Sequence, residues 1–198
     1  MDRTKKECIL VEAAKAFARF GFKKASIDEI AKEAGVGKGT VYLAAESKED
    51  LFYQVLHREL REWSAEVARS IDPRVRADRL LQRLLETAIT YLEQRPLVCE
   101  LFYGEVAKSM PAWADRFEDL RSLGRANVVE VLRLGVRQGV FRKDLDVETV
   151  GGLLQDFHLS AYFAERRKST PDEIARRAAV GLDLVLNGLR DHHRALPA

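Results

Sequence analysis

Between Ser26 and Lys48 the chain sets out hydroxyls (Ser26, Thr40), a phenol (Tyr42), ammonium groups (Lys38, Lys48) and glycines (Gly37, Gly39) within a few helical turns. Such groups form hydrogen bonds and neutralise anionic charge. Thr40 can bond a polar edge or lay its methyl on an apolar one, Lys38 can reach a guanine or a phosphate, and Gly39 lets a backbone come close. The chemistry is that of holding a partner rather than breaking a bond. There is no E-x-x-H pair on a helix, no H-E-x-x-H, no Gly-rich phosphate loop after a strand and no nucleophile elbow. No enzymatic activity, metal or cofactor is expected.

These side chains need a rigid mount. Ser26 followed by Glu29 matches the S-x-x-E capping box, which predicts a helix starting near Ile27. Ile27, Ile30, Ala31 and Ala34 fall on one face of it, and Gly35 stands where a tight turn needs positive φ. A second short helix from about Lys38 can bury Val41 beside Val36, leaving Thr40 and Tyr42 to point elsewhere. The small Ala31, the turn at Gly35 and the branched Val41 meet the demands of two closely crossing helices, and Ser26 to Leu43 therefore reads as a helix-turn-helix. A plain helical hairpin in a core needs neither this spacing nor polar residues on so short a helix.

The stretch from about Ile9 to Leu56 resembles the N-terminal domain of the TetR family, the tetracycline-repressor-like transcription regulators. The resemblance is carried by I9-L10, A13-A14, F17, G21, S26 to G35, G39-T40-V41-Y42 and S47-K48-E49-D50-L51-F52. Beyond it, only length, helical content and the G139-V140-F141 turn are similar. The resemblance implies an all-α fold, with a three-helix DNA-binding head over residues 1–47 and a helical ligand-binding and dimerisation body over 48–198. It puts Lys38, Gly39, Thr40 and Tyr42 at the major groove and its flanking phosphates, with Ser26, Gly37 and Lys48 at the backbone. Lys48 sits at a helix start, where the macrodipole disfavours a cation, so an external phosphate is a fitting partner.

The sequence departs from the family pattern at Leu43-Ala44-Ala45, where the family has His or Tyr and then Phe after Tyr42. Ala44 lacks the phosphate hydrogen bond and Ala45 the bulk. Gly37, where the family often has Ser, gives up a helix cap. A second reading, a dimeric small-molecule or protein-interaction module with degenerate DNA binding, rests on this departure.

The whole chain fits the first reading. It has 198 residues and a net charge of +2, so placement of charge matters more than the sum, and Lys5, Lys6, Lys23, Lys24, Lys38 and Lys48 lie in or beside the reader. Phosphate contacts there would make binding fall steeply with salt. Cys8 and Cys99 have no metal-like or redox-like spacing, the opening residues are too polar for a signal peptide, and no run is apolar enough to cross a bilayer. A cytoplasmic protein is expected.

After Ser47 the periodicity predicts helices throughout. One runs through Leu51, Val55, Leu60 and Trp63 toward Asp72-Pro73; the next carries Leu81, Leu84, Leu85, Ala88 and Leu92; a third starts at Pro96. A longer one opens at Pro111 and ends at Gly139, and another starts at Asp146. Thr170-Pro171-Asp172-Glu173 begins the last. Val150, Leu153, Leu154, Phe157, Ala161 and Tyr162, with Ile174, Ala178, Gly181, Leu182, Val185 and Leu189, give the final two helices apolar faces suited to a homodimer. A homodimer would present two readers to a palindromic operator. The resemblance also implies a pocket for a largely apolar small-molecule effector that releases a repressor from its operator. Tyr91, Phe102, Trp113, Phe117, Phe157, His158 and Tyr162 are the candidate lining, set against the plain core packing that aromatic residues at helical spacing usually provide.

Overall fold

A computed structural model describes residues 2–95, 97–98, 110–165 and 171–190. Among them the fold is all-α: α1 (Arg3–Lys24), α2 (Ile27–Glu33), α3 (Lys38–Ala44), α4 (Lys48–Ser70), α5 (Ala77–Gln94), a 3-10 turn (Pro111–Trp113) running into α6 (Ala114–Gln138), α7 (Val147–Glu165) and α8 (Pro171–Leu189). The chain divides into two compact units, residues 1–63 with 92–122 and residues 64–91 with 123–198. The head expected over residues 1–47 belongs to the first. Of the helix expected from Pro96, Leu97 and Val98 alone are described and both are buried; Thr170 lies outside the described residues.

In the first unit, α1 bends at Gly21 (φ 73°), which breaks the helix and lets Phe22 turn back toward α4. Phe17, Phe22 and Phe52 then meet as an aromatic triad with ring centroids 5.0 to 6.1 Å apart. Phe17 and Phe52 are buried with Ile9, Ala13, Ile30, Val41, Leu51 and Leu56, and Phe22 is half-buried beside them. Each fully buried large side chain there contributes about 1.5–3 kcal/mol. Ala44 and Ala45 are both buried as well.

The second unit is fastened by polar residues. Asn127 of α6 donates to the carbonyl and hydroxyl of Ser64. Gln138 donates to the carbonyls of Pro73 and Val75 and accepts from the Ala77 amide, satisfying the connection between α4 and α5. Asp78, nearly buried, takes a fork from Arg76 and faces Arg190 at 3.5 Å. The bond from Arg76 is the main reason its carboxyl is held below the usual range. Gly139 (φ 69°) ends α6 as expected: its amide bonds Val136 and that of Val140 bonds Gly135, the two bonds of a Schellman motif. Phe141 then turns under the helix, fully buried, and an isolated bridge joins it to Arg190 at the end of α8. Asp146 caps α7 by accepting from the Thr149 amide and hydroxyl.

Candidate nucleic-acid interface

The turn between α2 and α3 is built as the residue types require. Gly35 takes φ +66°, its amide reaches the Lys32 carbonyl at 3.1 Å, and the Val36 amide reaches Ala31 at 2.9 Å. This is again a Schellman closure, with Val36 at the apolar position after the glycine. The capping box does not form: Ser26 stands at the N-cap of α2, yet its side chain makes no cap hydrogen bond. Asp28 and Glu29 in the first turn place negative charge at the helix start instead, so the macrodipole is answered by charge rather than by the hydroxyl.

On α3 the two faces separate cleanly. Val41 and Ala44 are buried against the head, Thr40 is half-buried, and Lys38, Gly39, Tyr42 and Leu43 are exposed. Leu43 is 78% exposed and Tyr42 47%, which is costly for apolar surface that faces nothing in the protein. Leu43 is the residue that sequence reasoning missed. The signal was present, because on a two-turn helix with Val41 and Ala44 inward a side chain one position after Tyr42 and four after Gly39 points out.

Gly37 and Gly39 carry a different kind of information. A Cβ built at either meets no heavy atom within 4 Å, so nothing in the protein itself explains the glycines. Gly37 stands at the N-cap of α3, where glycine costs little, whereas Gly39 lies inside the helix at a cost of roughly 0.5–1 kcal/mol relative to alanine, which a close approach of a partner from outside would explain.

The cations are already engaged. Lys38 Nζ lies 2.9 Å from Asp28, both well exposed, and the hydrogen bond to that carboxylate is the first cause of the raised lysine pKa. Lys48 Nζ donates to the Lys23 carbonyl at 3.1 Å and sits 4.9 Å over the Phe22 ring. The cation that the start of α4 disfavours is thus held by the carboxyl end of α1, where carbonyls lack helical partners. Ser47 caps α4 through the Asp50 amide at 3.0 Å.

Trp113 is half-buried and Phe117 buried in the first unit; Tyr91 is half-buried in the second. Phe102 lies outside the described residues, as do the side chains of Phe157, His158 and Tyr162 on α7. A cavity of about 40 Å³ in the second unit is lined by Val67, Ile71, Leu80, Arg83, Leu84 and neighbours, none of them candidates. It has room for about one water molecule.

Residues 9–55 match the family model described as bacterial regulatory proteins, tetR family. Residues 9–55 are a TetR-family DNA-binding domain. This regulator is 29% identical to the HTH-type transcriptional repressor KstR2 of Rhodococcus jostii over 190 residues, covering 91% of this chain and 89% of that one. It is 23% identical over 171 residues to YhgD, an HTH-type transcriptional regulator of Bacillus subtilis, covering 86% and 89%. Among solved structures, the fatty acid degradation regulator FadR of Bacillus halodurans superposes with a TM-score of 0.75 at 20% identity, covering 93% of this chain and 99% of that one. FadR of Bacillus subtilis, crystallised in complex with stearoyl-CoA, gives 0.73 at 20% identity over the same shares. The regulator therefore has the family's fold and is a DNA-binding transcription regulator. Among the described residues, no helix is long and apolar enough to cross a membrane.

Proposed function

We propose that this protein is a cytoplasmic homodimeric repressor that binds a palindromic operator through α3 and leaves it when a largely apolar small molecule occupies its body. The observation that carries the DNA part is the outward face of α3, where an ammonium, a phenol, an unpacked glycine and an exposed leucine stand together on a helix the family uses for reading. Lys38, Thr40 and Tyr42 meet base edges and adjoining phosphates, Leu43 packs on a thymine methyl, and Gly39 lets the duplex approach. Ser26, Gly37 and Lys48 face the backbone. Of the three donors of an ammonium, Lys48 uses one on Lys23, which leaves donors for a phosphate.

Self-association is supported by the apolar side chains left exposed on α7 and α8, Leu153, Val180 and Leu184. The effector class is suggested by the relatives: a regulator of this fold binds stearoyl-CoA, and a Bacillus subtilis fatty acid metabolism regulator is 23% identical over 140 residues. Long-chain acyl thioesters are the first class to try.

The test is a fluorescence anisotropy titration of duplex DNA from upstream of the protein's own coding region, over a salt series, with Thr40→Ala and Leu43→Ala as variants. Nanomolar binding whose logarithm falls linearly with log salt, weakened by both substitutions, is expected. Salt-insensitive binding, or none to any genomic duplex, sinks the reading and favours the non-DNA module. Adding stearoyl-CoA, with free CoA as control, then asks whether an acyl chain releases the duplex and raises the melting temperature.

A further inference from the structure

The carboxyl end of α3 is tied to a residue far along the chain. Gln54 of α4 donates through Nε2 to the Ala44 carbonyl at 3.1 Å and to Asp50 Oδ2 at 2.8 Å. The same Asp50 oxygen accepts from the Glu46 amide at 3.1 Å, in the link between α3 and α4. Its other oxygen accepts from Arg116 Nη1 at 3.1 Å. The Arg116 guanidinium lies 4.2 Å from the centre of the Trp113 ring and 5.4 Å from that of Tyr53, so its position is set on two aromatic faces before it meets the carboxylate. All these residues belong to the first compact unit.

The physical weight of this chain of bonds comes from two facts. A helix of α3's length has no independent stability, so its angle is set by what holds its ends. Its last-turn carbonyls lack helical donors, and Gln54 supplies one to Ala44. Asp50 is only 14% exposed, so its carboxylate depends on the protein's own donors, and among the described residues Arg116 is the cation that reaches it.

We infer that Arg116 is a positioning residue for the reading helix, acting through Asp50 and Gln54 on Ala44 and Glu46 without itself touching DNA. The inference rests on α3 being the helix that reads. With Arg116 in place the carboxylate is neutralised and Gln54 is oriented toward Ala44. Without it, Asp50 reorients toward water and the end of α3 loses its tie.

The test pairs hydrogen–deuterium exchange of the free protein with duplex binding. Arg116→Ala is expected to speed exchange over residues 38–46 several-fold and to weaken binding by about threefold to tenfold, the equivalent of one ordinary hydrogen bond. The salt slope is expected to stay unchanged, because no phosphate contact is lost. Gln54→Leu, which leaves the ion pair intact, is expected to speed exchange over the same segment, and the double variant to add little. Unaltered exchange over 38–46 in Arg116→Ala overturns the inference, whether or not any duplex binds. So does full additivity of the two substitutions. A salt slope reduced by about one makes Arg116 a phosphate ligand and also overturns it. Absence of binding by the unmodified protein counts against the operator reading alone, since the exchange measurement needs no DNA.

Discussion

At the scale of single residues, the reading face and the packing of the protein make opposite demands, and Gly39 is where they meet. Its Cβ position is empty space in the free protein, so Gly39→Ala removes backbone entropy without creating a clash. Stability is expected to rise by about 0.4–1 kcal/mol, seen as a higher melting temperature, while affinity for the operator falls because the added methyl faces the duplex. Equal or tighter binding by the alanine variant would show that the duplex does not approach there. Asp78 makes the converse case of a residue that serves stability alone. Its folded pKa is lowered by the Arg76 hydrogen bond, so the stabilisation is complete above the unfolded value near 3.9 and is lost as pH falls through the folded pKa. Melting temperatures of the unmodified protein are expected to drop as pH falls below about 4, and those of Asp78→Asn to start lower and fall less over that range. Parallel curves for the two would remove Asp78 from the acid response.

At the scale of elements, the end of α6 is the least forgiving place described. A Cβ on Gly135 would lie 2.0 Å from Phe141 Cδ2 and 2.4 Å from Cε2, and Phe141 is fully buried with the bridge to Arg190 behind it. The ring has nowhere to go, so Gly135→Ala is expected to destabilise by about 1–3 kcal/mol or more, measured by urea unfolding. Gly152→Ala is the control, because a Cβ there meets nothing. The pair also marks what the sequence makes legible. Gly35 and Gly139 were readable because a glycine closing an apolar period has one frequent use, and both adopt positive φ. Gly135 was not, since its reason is a ring that arrives only after the chain has turned at Gly139. The Ser26 box failed for a related cause: S-x-x-E names groups able to bond but leaves the hydroxyl's direction open. The Asp50–Arg116 pair spans 66 positions, and no local period records a contact of that separation.

At the scale of the whole molecule, the proposed homodimer would bring two readers together through the faces of the last two helices. The stripe expected on α8 ran through Gly181, Val185 and Leu189, but Gly181 and Leu189 are buried within the unit and Val185 is half-buried. Among the described side chains, Val180 and Leu184 are apolar and exposed, as is Leu153 on α7, which packs against α8. On a helix this apolar over much of its circumference, periodicity cannot choose between two stripes one position apart; the turn bonds from Arg142 to Leu189 and from Arg190 to Asp78 fix which one faces inward. A second copy is the occupant proposed for the outer stripe, and an isologous contact is self-complementary by construction. Val180→Glu with Leu184→Glu is therefore expected to give a monomer by sedimentation, since like charges meet across the axis where apolar surface was buried. Such a monomer holds one reader. Losing the second half-site should weaken operator binding by about 10²–10⁴-fold, while the monomer's exchange rates over residues 38–46 stay as they were. A double variant that sediments as a dimer, or a monomer that binds the full operator as tightly as before, would separate self-association from these two helices or from the reading of DNA.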